Sequence, residues 1–368
     1  MTESGRNGKP YFRSSMERLL NLSEHQTLVT GRIHALNILH TLFKDSKLAE
    51  FVVPFIGRAF EISINGFSER LWSLRNASTM LFSVLAARLF HNRHSQTRHI
   101  TDATFFTLFP NLHPFFMREL TKATQVEKFM YYPSLYPTLL VLQRMNPCQM
   151  SVGDPNLSLS QFVEVIQQLS SSGVLKTRSL AAETLSSILS GSEMQEFVEA
   201  QIRTLVRGVK QNQIHGTLLQ VKHGLSKCSD LAAVSQELMR KSWLLMDNNC
   251  SFTAALYVQN LSKVINKSDK SPELTKLANQ AMSVLKSPPQ PGPLYTLKEA
   301  CASFIMSLQS SDLVQEMMLL NRHELCEFVL ETPGVEGWLR LRAEDFADVS
   351  VWGLSTALHI LKVGYVFC

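Results

Sequence analysis

The 368-residue sequence contains none of the short motifs that usually mark an enzyme. There is no GxGxxG or GxxxxGK loop to cradle a phosphate, no HExxH pair for zinc, no GxSxG elbow and no acidic EF-hand loop. No strand runs into a glycine-rich turn that would seat a nucleotide-like cofactor such as S-adenosylmethionine. The chain is therefore expected to hold no cofactor and to be non-catalytic.

Cysteine is scarce and scattered. Cys148, Cys228, Cys250, Cys301, Cys326 and Cys368 include no CxxC pair and no histidine at zinc spacing. That is the usage of reduced thiols in a cytosolic or nuclear protein. Histidine offers no better metal site. His34 and His40 lie six residues apart, about 240° around a helix, and cannot share an ion. His91, His94 and His99 are interleaved with Arg88, Arg93 and Arg98, whose charges disfavour a cation there. No metal is expected, and the run reads instead as a basic, anion-binding loop.

Long apolar runs are missing too. The most apolar stretch, Val351 to Phe367, is broken by His359 and Lys362 and falls short of the roughly 20 residues needed to cross a bilayer. It reads as a buried helix, with no membrane insertion. Met1 to Pro10 is polar and shows no secretory signal.

What the sequence does have is apolar residues at helical spacing. It is 45% hydrophobic and only 18% charged, enough to bury a large core. Ile33, Leu36, Leu39 and Phe43 make one stripe, and Phe51, Phe55, Ala59 and Ile62 make the next. Ile202, Leu205, Val206 and Val209 follow the i, i+3, i+4, i+7 rule and predict a helix through residue 209. Segments of about 12 to 20 residues end in short Gly, Pro, Asn or Ser breaks, the spacing of stacked helical hairpins.

Two segments share a finer pattern. Arg75 is followed by Ser78, Thr79 and Phe82, and Arg178 by Ala181, Ala182 and Leu185. Small residues three and four after an arginine let a neighbouring helix approach, as in HEAT and armadillo repeats. The expected fold is all-α, an α-solenoid of irregular HEAT/armadillo-like repeats. Residues 1–30 are expected as a flexible arm with a short helix at about Ser14 to Leu22, and 31–287 as the repeats. A proline-rich joint at 288–293 would lead into a C-terminal helical block, 294–368, that looks truncated.

Charge is uneven. Residues 1–150 carry 17 Lys+Arg against 10 Asp+Glu, and the remainder 19 against 21. Between Glu199 and Asp230 stand Arg203, Arg207, Lys210, Lys222 and Lys227 with no acidic residue among them. On a continuous helix with Ile202 at zero, Arg203, Arg207 and Lys210 fall at about 100°, 140° and 80°. Such a stripe suits a phosphate backbone, gripped without reading bases; it would equally serve as an ordinary solvated face. With Arg88, Arg93 and Arg98 these five are the candidate RNA-binding residues. Phe90, Tyr131, Tyr132 and Tyr136 sit in apolar patterns and read as core rather than as base-stacking rings. His34, Asn37, Arg75, Asn76, His215 and Gln220 read as polar groups satisfied within helices.

Six ordered strings carry a resemblance: RIHALNILHTLFKDSKLAE (Arg32 to Glu50), INGFSERLWSLRNASTMLFSVL (Ile64 to Leu85), FFTLFPNLHPFF (Phe105 to Phe116), YPSLYPTLLVLQRM (Tyr132 to Met145), LKTRSLAAETL (Leu175 to Leu185) and NQIHGTLLQVK (Asn212 to Lys222). They resemble the thyroid adenoma-associated protein (THADA) family, including its DUF2428-type region, strongly over residues 10 to 228 and weakly beyond. The resemblance implies a non-catalytic cytoplasmic α-solenoid that partners an FtsJ-type ribose 2′-O-methyltransferase and helps it act on the tRNA anticodon loop. It implies tRNA and that enzyme as partners, with the enzyme contributing S-adenosylmethionine. Members are several times longer, and an Arg-Arg-Ser-Ala-Gly-Leu-Pro stretch expected upstream of His34 is absent, so the chain is expected to be a fragment or short form. The alternative expectation is a protein–protein adaptor with no RNA role.

Overall fold

A computed structural model describes residues 4–24, 28–90, 100–125, 132–147, 157–248, 250–265, 271–287, 293–308, 310, 312–313 and 316–317. Among them there is no β-strand, only an isolated bridge between Thr101 and Asn146. The chain divides into two compact units, Met1–Ser190 and Gly191–Cys368.

The first unit begins with α1 (Ser4–Glu24) and α2 (Val29–Lys44), followed by the single turn α3 (Ala49–Val52), then α4 (Ile56–Gly66) and α5 (Trp72–Phe90). Residues 4–24 are one helix packed on α2 and α4, not a loose arm with a helix at 14–22. Met16 and Leu20 are fully buried, a burial that stabilises by about 1.5–3 kcal/mol per side chain. Arg58 of α4 then braces α1 from the side, donating to Glu17 (2.9 Å), to Asn21 (2.6 Å) and to Glu24. These exposed contacts fix orientation more than they add stability.

The small residues after Arg75 do what their size suggests. Ser78 is buried where α4 meets α5, and a Cβ on Gly66 would stand only 1.9 Å from its Oγ. Phe82 closes the seam against Phe60 and Phe67, with centroids 5.8 and 5.6 Å away. Arg75 itself turns back, Nη1 donating to the carbonyls of Glu69 and Arg70, both at 2.8 Å. Arg178 repeats the device, its Nη1 donating to the Ser172 carbonyl at 2.6 Å. In both units of the pattern the guanidinium thus satisfies a carbonyl six residues back, in the turn that precedes its own helix.

The rest of this unit comprises α6 (Asp102–Leu108), α7 (Leu112–Gln125), α8 (Leu135–Gln143), α9 (Val163–Leu169) and α10 (Leu175–Ile188). Its core is aromatic: Phe105, Phe106, Phe116 and Phe162 are all fully buried. The Asp102 carboxylate is buried as well, accepting from the backbone N–H of Ala103 (2.9 Å) and of Leu159 (3.2 Å). It thereby fastens the start of α6 to the chain entering α9.

The second unit holds α11 (Gly191–Thr204), α12 (Gln211–Gly224), α13 (Leu231–Met239), the single turn α14 (Trp243–Met246), α15 (Ser251–Val264), α16 (Pro272–Lys286) and α17 (Pro293–Ser307). α15 is its hub, touching α12, α13, α14 and α17. Buried Asn260 on α15 donates to the Leu218 carbonyl of α12 at 2.8 Å, and Tyr257 donates to the Leu238 carbonyl of α13 at 2.9 Å. α11 and α12 also meet closely, since a Cβ on Gly224 would lie 2.6 Å from Val198 and 2.7 Å from Met194. The proline-rich joint and the helix expected over Val351 to Phe367 lie outside the described residues, apart from Pro293, which opens α17.

Candidate nucleic-acid interface

The helix expected to run through Val209 stops at Thr204. Leu205 is buried as the spacing requires, but Val206 is 51% exposed and Gly208 sits at φ 87°, in the left-handed region. Only glycine enters that region without strain, and it lets residues 205–210 reverse the chain so that α12 packs back on α11. Arg203, Arg207 and Lys210 are accordingly not a helical stripe; they crown a turn. All three remain exposed, with 58% of the Arg203 side chain and 66% of the Arg207 side chain open to solvent.

The turn faces the connection between α13 and α14, which adds cations of its own. Lys241 Nζ donates to the Arg203 carbonyl at 3.4 Å. The Arg207 guanidinium carbon lies 5.5 Å above the Trp243 ring centroid, and its Nη2 pairs with Asp247 Oδ2 at 2.5 Å. Gln211 donates to Asn248 at 2.9 Å and ties the same edges together. Besides Asp247 at Arg207, two of the other cations have acidic partners: Glu199 lies 3.6 Å from Arg203, and Glu237 holds exposed Arg240 at 2.5 Å. Among the described residues neither Lys210 nor Lys241 forms a salt bridge. Beyond α14, Met246, Thr275, Lys276, Asn279 and Gln280 line an open cleft of about 700 Å³ along α16.

The other candidates lie elsewhere. Lys222 stands twelve residues along α12 from Lys210, about 18 Å at the helical rise. Lys227 follows in the short 3₁₀ turn Leu225–Lys227, where burial lowers its ammonium pKa. In the first unit, Arg88 is committed to backbone, donating to the carbonyls of Phe43 (2.6 Å) and Asp45 (2.7 Å) at the end of α2. Arg93 and Arg98, with His91, His94 and His99, lie outside the described residues.

Phe90 and Tyr132 are engaged within the first unit, whereas Tyr136, expected in the core, is exposed at 36%. Phe90 stacks on buried Phe105 at 6.3 Å, Tyr132 donates to buried Glu119 at 2.7 Å, and Tyr131 lies outside the described residues. Lys241 and Trp243 escape sequence reasoning because they lie over thirty residues from the Arg203–Lys210 turn; the string RKSW (Arg240 to Trp243) was their only signal. No group of three metal-ligating side chains occurs among the described residues, and no described helix is long and apolar enough to span a membrane.

Two family models match end to end: "THADA/TRM732, DUF2428" over residues 1–73 and "Trm732, C-terminal TPR repeats" over residues 75–224. The chain belongs to the THADA/Trm732 family. Its similar relatives include the tRNA (32-2'-O)-methyltransferase regulator THADA of Chlorocebus aethiops, 34% identical over 282 residues, which are 67% of this chain and 14% of the relative. The human THADA regulator is 34% identical over 261 residues, 62% of this chain and 13% of its own length. The regulator trm732 of Schizosaccharomyces pombe is 34% identical over 206 residues, 53% of this chain and 14% of its own. The chain thus spans about a seventh of the curated relatives it matches. Among solved structures, that of the Wpl1 protein covers 99% of this chain and 98% of its own at a TM-score of 0.27 and 14% identity, too slight a likeness to inform the fold.

Membership in the THADA/Trm732 family agrees with the all-α solenoid class, because its second model is one of stacked helical repeats. The junction of the two models, at residues 73–75, falls inside the first turn of α5. The second model ends at residue 224, the last residue of α12. Arg203, Arg207, Lys210 and Lys222 therefore lie within the family repeat region, whereas Lys227, Lys241 and Trp243 lie beyond it.

Proposed function

We propose that this chain is a cytoplasmic, non-catalytic scaffold that helps an FtsJ-type methyltransferase carry out ribose 2′-O-methylation in the tRNA anticodon loop, by binding both tRNA and the enzyme. The observation that carries this reading is family membership: the relatives are named as regulators of a tRNA 2'-O-methyltransferase rather than as the enzyme. The exposed cations of the α11–α12 turn support the RNA half of it. They grip backbone phosphates through charge and counterion release, as suits a protein that positions RNA for another to modify. Lys222 and Lys227 are further proposed contacts in the second unit, and Arg93 and Arg98 in the first, where Arg88 is instead held by the carbonyls of Phe43 and Asp45.

Reconstituted methylation tests the reading directly. Enzyme and tRNA with this chain should give more ribose methylation than enzyme and tRNA alone; equal rates would overturn it. Replacing Arg203, Arg207 and Lys210 together with Glu should weaken tRNA binding and flatten its salt dependence by about one log-log unit for each phosphate no longer gripped. Binding unchanged at every salt concentration would remove this turn from the mechanism.

A second reading, a protein–protein adaptor without an RNA role, is favoured by one feature. α2 and α5 pack side by side and leave Ile38, Met80 and the 70%-exposed Trp72 in solvent. Nuclease treatment during co-purification separates the two: an adaptor keeps its partner, whereas an RNA-dependent assembly loses it.

A further inference from the structure

We propose that Trp243, with Arg207 above it and Lys210 and Lys241 on the two connections that meet there, is a stacking site for an unpaired base of single-stranded RNA. The inference rests on the reading of the chain as RNA-binding and adds to it a site that recognises unstacked nucleotides. Its ground is the combination at the α11–α12 turn: an indole ring partly open to solvent with Arg207 over it, exposed Arg203 and Lys210 on the same turn, and Lys241, two residues before the ring, reaching the Arg203 carbonyl.

Arg207 already occupies the place a base would take. Its guanidinium lies 5.5 Å from the ring centroid and is held there by the Asp247 carboxylate at 2.5 Å. Both partners of that ion pair are largely exposed, so the pair is worth about 1 kcal/mol or less and opens readily. When a base stacks on the indole, the guanidinium exchanges one anion for another, leaving the carboxylate for the phosphate that accompanies the base. Lys210 and Lys241, without salt-bridge partners among the described residues, then meet the neighbouring phosphates without breaking an ion pair. Asp247 acts as a placeholder: it keeps Arg207 on the ring in the free protein and repels a phosphate brought near.

An acidic peptide would satisfy the cations but leave the ring unused. Duplex RNA would satisfy the cations too, but its base faces are stacked on one another and closed to the indole. Single-stranded RNA uses both, because every unpaired base presents a π-face.

The test uses the full chain and two RNA probes of about 12 nucleotides, within the usual footprint of such sites: an unstructured oligouridylate and a blunt duplex. Binding is read by anisotropy, and contact with the ring by the part of the tryptophan quenching that Trp243→Phe removes, since the chain has four tryptophans. Trp243→Leu should weaken the single strand about ten-fold and the duplex less than about two-fold, since one base stack accounts for that difference. Trp243→Phe should restore most of the affinity. Asp247→Asn should tighten both probes a few-fold at low salt, because it removes the competing anion. Should Trp243→Leu fail to fold, Trp243→Phe and Asp247→Asn carry the test, and an Asp247→Asn chain binding no tighter than wild type overturns the proposal. So does equal loss of both probes in Trp243→Leu, or quenching by an oligoglutamate peptide but not by RNA. If the wild-type chain binds neither RNA, the scaffold reading falls with it. If charge reversal abolishes binding while Trp243→Leu changes nothing, only the stacking site falls.

Discussion

Placing one methyl group on Gly66 tests how tightly α4 and α5 meet. The new Cβ would lie 1.9 Å from Ser78 Oγ and 2.4 Å from Ser78 Cβ. The hydroxyl has other rotamers, but the Cβ is fixed to its backbone, so the two helices must part by on the order of 1 Å to reach ordinary carbon contact at ~3.5–4 Å. That opening loosens the Phe60–Phe82 and Phe67–Phe82 contacts of the same seam. Overpacking of this kind costs ~1–3 kcal/mol, and the upper half of that range applies because backbone lies on both sides. The gain in helix propensity from Gly to Ala is at most ~1 kcal/mol and is smaller at the last residue of α4. Gly66→Ala should therefore lose about 2 kcal/mol. In thermal unfolding followed by circular dichroism, that is a fall of about 4–8 °C for a unit of this size. Ser78→Gly alone should cost about 1 kcal/mol as a helix glycine. In the double variant, however, the methyl group introduced at position 66 meets only the Cα at position 78, 3.8 Å away. The pair should then be more stable than Gly66→Ala alone. A Gly66→Ala chain as stable as wild type, or strictly additive losses in the double variant, would refute this account of the seam.

Two further outcomes follow from buried groups. Asp102→Ala strands the backbone N–H groups of Ala103 and Leu159 and should cost about 2 kcal/mol in urea unfolding, as for hydrogen bonds to a buried charge; a loss below about 0.5 kcal/mol would contradict it. Alkylation followed by peptide mapping should modify Cys250 before Cys228 and leave Cys301 until the chain unfolds. Burial pushes the Cys250 thiol up, but hydrogen bonds from Thr253, Gln211 and the Phe252 backbone together bring it below its ordinary value. Burial and Glu199 raise Cys228, and burial alone pushes Cys301 up to about 12. A lower pKa means more thiolate at a given pH, so Cys250 should also keep reacting as the pH falls towards neutrality while the others stop. Labelling of all three at one rate would contradict the burial pattern.

The helical class and the repeat pattern were legible because both are local. Apolar spacing marks each helix, and the small residues after Arg75 and Arg178 sit where a neighbour approaches. The end of α11 was hidden by the same logic, since Leu205 and Val209 keep the helical rhythm while the chain is already turning; Gly208 was the signal that outweighed it. Arg88 resembled a free cation because its acceptors, the carbonyls of Phe43 and Asp45, lie more than forty residues away. The partnership of Arg207 with Trp243 and Asp247 was invisible for the same reason. The ordering of residues 4–24 depended on Arg58 and on apolar partners supplied by later helices.

The arginines that reach back six residues have a consequence for synthesis. A clasp of that span closes once its own short stretch has left the ribosomal exit tunnel, before later helices exist to pack against it. These two corners are then set early in translation, while contacts such as Arg58 to Glu17 and Asp102 to Leu159 must wait for chain made about forty to sixty residues later.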